Sequence, residues 1–549
     1  MEKRSSMDCP LNVKEEGGSM KRRNGIWVVV LAIVVGCGMF LPQAWAVSGK
    51  IGDKVTIDFH GYLESNVVVR DTDGLDTGFF NDTEVIQQRN TLKFDLDVHT
   101  NFEMGPISLK KVHLTYRGAY DSIFDLRDDR FNNIPDKREG RFNYGLNNIE
   151  YENDLREAFF DLTYDGAYGV GFLRPGRQLV SWGVVQGWTI VDKVNPVDGS
   201  FAISAYPDEL HTPLWMVRAN YSIPPQKDLN LNFDLVVVPD VRPTQMPPVD
   251  SEIQAPYLRG TSFYGFKSLW QNPFFTDVYE DVPTEKVEYG GKVTADIGSY
   301  FSVSGMYFHH ANDDPGVLLT KNVNLGGPIA PCRVDLEHPM SDTFGGTFSW
   351  YFTPPVDLVF KGEFGYTTDE VVPLPNSDPD VVAAKYGGSA GGGMFPYLPY
   401  DLALYRLKDT ATYMLGVDKN VWARWLSPSQ INLSFQGIYK HILNHDADMT
   451  TVDANEYWVS GMANWYWWNG RINPTVFVMY DTKDAWMTNV AVAWTITKNW
   501  KTVLDFIGFW GDSESNAYWA YKGLLGGTTN SGSWNESSSQ VMLKVLYQW

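Results

Sequence analysis

From Val47 to Trp549 the chain has no apolar run long enough to cross a bilayer as a helix, which takes about 20 residues, yet it is dense in segments that alternate apolar and polar residues. Val55, Ile57 and Phe59 alternate with Thr56, Asp58 and His60. Leu92, Phe94, Leu96 and Val98 alternate with Lys93, Asp95, Asp97 and His99. The pattern recurs at Leu229-Leu231-Phe233-Leu235-Val237 and at Val356-Leu358-Phe360-Gly362-Phe364-Tyr366, whose opposite face holds Asp357, Lys361 and Glu363. A period of two puts the two sets on opposite faces of a strand. Lipid offers no partner for backbone N–H and C=O groups, so strands can cross a membrane only as a closed barrel.

About eighteen such segments meet the alternation criterion for barrel strands, near residues 54–70, 88–103, 106–120, 154–165, 167–182, 213–223, 228–239, 285–297, 300–311, 342–353, 356–369, 410–426, 430–443, 455–467, 471–482, 485–497, 500–512 and 537–549. Tight turns fall at Met104-Gly105, Asp165-Gly166, Pro224 to Lys227, Gly298-Ser299, Pro354-Pro355, Ser427 to Ser429, Trp468 to Gly470 and Lys498-Asn499, and nearly every other connection is long. This alternation predicts an all-β, antiparallel outer-membrane barrel with short periplasmic turns and long extracellular loops, its outer face in contact with outer-membrane lipid. The last segment, Val541, Leu543, Val545, Tyr547 and Trp549, forms an apolar face ending on an aromatic, the pattern recognised by the barrel assembly machinery.

The amino-terminal part predicts export. Met20 precedes Lys21, Arg22 and Arg23, then the apolar run Ile26 to Leu41 and Ala44-Trp45-Ala46, which reads as a cleaved signal over 1–46 whose true start could be Met20. Cys37 follows a lipoprotein-like Val34-Val35-Gly36, but the apolar Met39-Phe40-Leu41 argues against that processing. Residues 47–549 then form a single barrel domain in the outer membrane of a Gram-negative cell. Without the presequence the chain carries 39 Lys+Arg against 62 Asp+Glu, which disfavours nucleic acid as a partner. Cys332 is the one cysteine outside the presequence, so no disulfide framework, Cys-based metal site or thiol-linked haem is expected. The aromatic content, 14% with 20 Trp, suits rings at membrane interfaces.

Hairpin pairing about Met104-Gly105 sets Lys93, Asp95, Asp97 and His99 opposite Lys111, His113, Thr115 and Arg117, within one register step, on the face turned to the lumen. Two readings stand: a hydrated wall that orients solutes, or a salt-bridge lattice that stiffens it. Neither His60, His99 and His113 nor Asp71 to Asp76, which lacks a closing Glu, is expected to bind metal. Gly387 to Gly393 is a loop, since no Gly-Lys-Ser/Thr follows it. No nucleophile elbow or zinc-protease motif occurs, so neither enzyme nor cofactor is expected.

The most distinctive stretch links the fifth strand to the sixth: Gly176-Arg177-Gln178 and Trp182-Gly183, then Gly187-Trp188, Asp192, Asn195-Pro196-Val197-Asp198 and His211-Thr212-Pro213-Leu214-Trp215-Met216. In order and content it resembles the Gram-negative outer-membrane family catalogued as domain of unknown function 1302, with His211 where Arg is common. The resemblance implies an outer-membrane barrel, discussed as a channel or as the outer-membrane partner of hydrophobic-compound transport. Physically, loop 183–212 is too apolar to sit in water, with Trp182, Trp188, Ile190, Val191 and Val194. It is expected to fold inward, with Arg174, Arg177, Asp192, Asn195 and Asp198 as polar lining, or else to lie as an outer lid. The expected activity is facilitated diffusion of small or hydrophobic solutes. The alternative is a barrel that sheathes or docks a periplasmic export, transport or electron-transfer partner.

Overall fold

The computed structural model describes residues 47–71, 83–126, 150–184, 190–198, 210–244, 275–281, 283–321, 332–373, 401–403, 405–446, 453–481, 485–511 and 540–549, all within the compact unit Ala46–Trp549. Residues 1–46, 72–76, Trp188 and 387–393, each assigned a role above, lie outside them. Among the described residues the strands are β1 (Val47–Ile51), β2 (Val55–Asp71), β3 (Thr83–Met104), β4 (Ile107–Asp121), β5 (Tyr151–Gly166), β6 (Gly169–Gln178), β7 (Leu214–Gln226), β8 (Leu229–Val238), β9 (Phe275–Asp281), β10 (Glu288–Ile297), β11 (Phe301–Ala311), β12 (Gly316–Lys321), β13 (Cys332–Glu337), β14 (Met340–Phe352), β15 (Leu358–Pro373), β16 (Asp401–Ala403), β17 (Tyr405–Val421), β18 (Ile431–Ile442), β19 (Asn455–Asn464), β20 (Ile472–Asp481), β21 (Ala485–Thr495), β22 (Trp500–Gly511) and β23 (Gln540–Gln548), with a short helix at Ile123–Leu126.

Eighteen of these close into an antiparallel barrel of the outer-membrane type, each pairing with its neighbour in the chain once β1, β9, β12, β13 and β16 are set aside. The ring shuts where β23 pairs with β2, from Tyr62↔Gln548 to Arg70↔Gln540. Every segment read from alternation is one of these strands. The tight turns lie at one rim, several with a left-handed residue: Gly105 at φ 66°, Gly298 at 61° and Gly470 at 83°. Only glycine takes that conformation without a Cβ penalty.

The faces divide as the period demands. Leu92, Leu173, Leu235, Val293, Leu415, Phe435 and Leu543 point outward and are exposed to the surroundings of the barrel, while Thr91, Asp234, Glu363, Ser434, Gln436 and Lys544 are buried inside. Trp350, Trp422, Trp425, Trp468 and Trp494 stand exposed near the turn rim, the position of an aromatic girdle. The lumen is not uniformly polar. Inner-face Met414, Ile438, Trp458, Met479, Met487 and Ile507, on consecutive strands β17 to β22, belong to one apolar cluster with Met306 and Phe308 of β11.

Three expected strands end three or more residues before the pattern indicated. β6 stops at Gln178 because the Val180 N–H donates to Asn195 Oδ1 (2.7 Å) instead of to a ladder; β17 gives way to a turn after Val421, and β19 ends at Asn464. The four strands β16-β12-β13-β9 form a second sheet in the long connections, with β13 and β9 parallel. At three to seven residues each, they fall below the length that marks a spanning strand.

Because Leu543 faces outward and its neighbour Lys544 inward, Leu543→Arg is expected to cost about 2–4 kcal/mol at mid-membrane depth, whereas Lys544→Arg is tolerated. The folded fraction in detergent, read by gel mobility with and without heating across a urea series, measures both.

Candidate functional site: a loop clasped against the inner wall

The segment leaving β6 lies against the inner face of strands far from it in sequence. Trp182, 1% exposed, donates its indole N–H to Asp234 Oδ2 on β8 (3.2 Å), sets its ring edge-on to Phe308 of β11 at 5.9 Å, and accepts at its backbone O from Lys292 Nζ on β10 (2.7 Å). On β15 the Glu363 carboxylate receives two loop amides, from Val184 (2.7 Å) and Val191 (2.9 Å). Each such bond to an ionised carboxylate contributes about 1.5–3 kcal/mol. The wall beside Glu363 is cleared for the loop. A Cβ at Gly345 would collide with Val191, and one at Gly365 would stand 2.9 Å from Ile190 Cγ2.

The loop's own shape is held by residues read above as lining. Asp192 accepts from Ser181 Oγ (2.7 Å) and from the Trp182 amide (2.9 Å). Asn195 accepts from the Val180 amide and donates to the carbonyls of Thr212 (2.9 Å) and Gln178 (3.3 Å), so it ties together both ends of the loop. Asp198 is buried, with its amide on Leu210 O. His211 meets Asn195 O through Nδ1 (3.1 Å), and Arg156 donates to His211 O (2.6 Å). Farther along, Lys193 pairs with Asp313 at 3.6 Å. Burial and the adjacent Asp313 carboxylate raise Asp314 to about 6, against the pull of Lys193.

Arg177 is likewise a strap. It is buried, and its guanidinium donates to Asp154 (2.5 Å), Leu155 O (2.6 Å) and Pro213 O (2.9 Å), joining β5 to the start of β7. Arg174 stays on the inner face, bidentate to Asp161 at 2.6 and 2.9 Å.

On β3 and β4 the register is in step with the hairpin reading: Lys93↔Arg117, Asp95↔Thr115, Asp97↔His113 and His99↔Lys111. Most charges there are matched. Asp97 binds Lys111 (2.8 Å) and His113 (2.5 Å), Glu152 takes both Arg117 and Arg89, and Arg218 is bidentate to Asp234. The pairing gives weight to the lattice reading for Arg117, whereas half-exposed His99 remains open to the lumen. Among the described residues no three His, Cys, Asp or Glu side chains are placed to share a metal ion.

Sequence patterning placed Glu363 on a polar face but could not name its partners, and it gave Lys292, Asp234, Gly345 and Gly365 no distinction. Their roles arise from contacts between distant segments.

Residues 27–520 match the family described as Protein of unknown function (DUF1302). The chain belongs to that family. No curated protein matches this DUF1302 member. Among solved structures, OccAB3 of Acinetobacter baumannii is similar at 9% identity and a TM-score of 0.43, covering 91% of this chain and 100% of that one. The outer-membrane channel DcaP of the same organism gives 9% and 0.36, with 92% and 100% covered. OccK11 of Pseudomonas aeruginosa gives 8% and 0.39, with 89% and 95% covered.

Replacing Glu363 with Met removes the acceptor of two loop amides. Exchange of the Val184 and Val191 N–H groups with deuterium is expected to quicken about 10- to 100-fold, the equivalent of 1.5–3 kcal/mol, while strand amides of β15 stay protected.

Proposed function

We propose that this DUF1302 barrel is a channel of the Gram-negative outer membrane, that small or hydrophobic solutes diffuse through it passively, and that the loop 183–212 narrows its lumen. A closed ring with an apolar exterior and a largely polar interior is stable only with lipid outside and water within, which supports this location after export and removal of residues 1–46. The observation that carries the reading is the clasp: Glu363 on β15, Lys292 on β10 and Asp234 on β8 hold Trp182, Val184 and Val191 against the inner wall. A chain that spends two buried charges and two wall glycines on seating its own loop inside the barrel is built to restrict passage.

The cluster from Met414 to Ile507 supports the hydrophobic part of the substrate range. Methionine side chains are flexible and polarisable and take up apolar surfaces of varied shape. Matched pairs on the opposite sector, such as Arg174–Asp161 and Arg218–Asp234, leave few bare charges to trap an ion. Weak binding on both sides is what conduction requires. A loop already lodged against the wall also speaks against a barrel that serves chiefly as a sheath for another protein.

In planar bilayers the purified barrel is expected to conduct, and deleting residues Val184 to Ala205 to raise single-channel conductance. Unchanged conductance in a correctly assembled deletion variant defeats the constriction, and a silent wild-type barrel defeats the channel.

A further inference from the structure

The inner faces of β2, β3 and β4 near the turn rim carry an unusual mosaic of histidine and aspartate. The ladder sets Thr56 opposite His99, Asp58 opposite Asp97, His60 opposite Asp95 and Asp97 opposite His113. Each ring touches a carboxylate: His60 Nε2 to Asp95 at 3.6 Å, His99 Nε2 to Asp58 at 3.6 Å and His113 Nδ1 to Asp97 at 2.5 Å. The outward faces of the same strands hold Phe59, Phe94 and Tyr116 in ring contact, so the mosaic faces the lumen. His60 and His99 are half exposed there.

The charged groups packed around these rings can be counted. Lys50 of β1 lies on the same face through its pairing with Thr56. Lys93, Glu103 and Lys111 lie along β3 and β4, Glu157 and Asp161 on β5 and Arg174 on β6. Arg117 is bound to Glu152. With neutral histidines, six carboxylates (Asp58, Asp95, Asp97, Glu103, Glu157, Asp161) face five cations (Lys50, Lys93, Lys111, Arg174 and Arg156, the last on β5 beside Glu157), and the patch is acidic. With all three histidines protonated it is basic.

We propose that His60, His99 and His113 set the charge selectivity of the pore and reverse its local sign as the pH falls, so that cations are favoured at neutral pH and anionic solutes in acid. Histidine is the side chain whose charge changes between about pH 5 and 8, and rings of wall charge are the ordinary means by which a pore discriminates ions. The mosaic acts on solutes at the turn mouth, separate from the clasp on Glu363. The inference rests on the channel reading, and the test separates the two.

Reversal potentials are measured in planar bilayers under a potassium chloride gradient, at pH 7.5 and 5.5, for the wild type and for a variant carrying His60→Gln, His99→Gln and His113→Gln. Glutamine keeps hydrogen-bonding capacity, and heat-shifted gel mobility verifies assembly; if the triple variant does not assemble, the double variant at the exposed His60 and His99 takes its place. The wild type is expected to lose its cation preference on acidification, and the variant to retain it at both pH values. A conducting wild type whose ion preference is the same at both pH values overturns the inference and leaves the channel standing. A variant that shifts as the wild type does also overturns it. Absence of conductance in the wild type removes the channel reading and this inference together.

Discussion

Everything in this molecule follows from the need to satisfy backbone hydrogen bonds where no water can help. A sheet in lipid has to close, and here the decisive contact is the seam between the first barrel strand and the last. β23 runs along β2 for nine residue pairs, and the seam is finished by reciprocal backbone bonds between Gly61 and Trp549 at 3.0 and 3.4 Å. A side chain at Gly61 would stand 2.8 Å from the Trp549 ring, so glycine there makes room for the terminal aromatic. Beyond the seam, β1 pairs with Val55 to Phe59 of β2. It covers the stretch of edge that β23 does not reach, and exposed edges are where strands recruit unwanted partners.

Closure fixes which side chains face inward, and the inward set must then balance its own charge. The sector from β3 to β8 does much of this with short pairs between strands one or two places apart: Arg89 and Arg117 on Glu152, Arg177 on Asp154, Arg174 on Asp161, Arg218 on Asp234. Pairs open to lumenal water contribute little to stability. Those at buried Arg89, Arg117 and Arg177 differ, because removing one partner would strand a charge at a cost of about 3–5 kcal/mol. Rigidity in this sector is what lets β6 and β7 present a fixed base for the loop between them.

The strands were legible because two-residue periodicity is a local signal repeated in every segment, and the turns because glycine, proline and asparagine mark them residue by residue. Even the β3–β4 register could be read, since a tight turn at Met104-Gly105 leaves few alternatives. The loop was legible only in its content. Its apolar residues and its Asn-Pro-x-Asp run announced something unusual, but the bracing of the loop by Asp192 and Asn195 was not legible. Glu363, which fastens the loop, lies 179 residues from Val184 in the chain. No local pattern carries that separation. The short second sheet escaped for the related reason that β9 and β13 pair across a long interval.

The lumen has two chemically different halves, and the loop joins them. It springs from the charged sector, between β6 and β7, and reaches Glu363 on β15, next to the strands that carry Met414, Ile438, Trp458, Met479, Met487 and Ile507. Its apolar residues Trp182, Ile190, Val191 and Val194 belong to that same cluster, while its backbone amides are spent on a carboxylate. An apolar loop in a water-filled barrel would be unstable alone. Anchoring its amides on Glu363 and its side chains on the methionine-bearing wall removes both penalties at once. The apolar belt is therefore a structural requirement of the loop before it is a surface for any solute, and in the transport reading a hydrophobic solute competes with the loop for that surface.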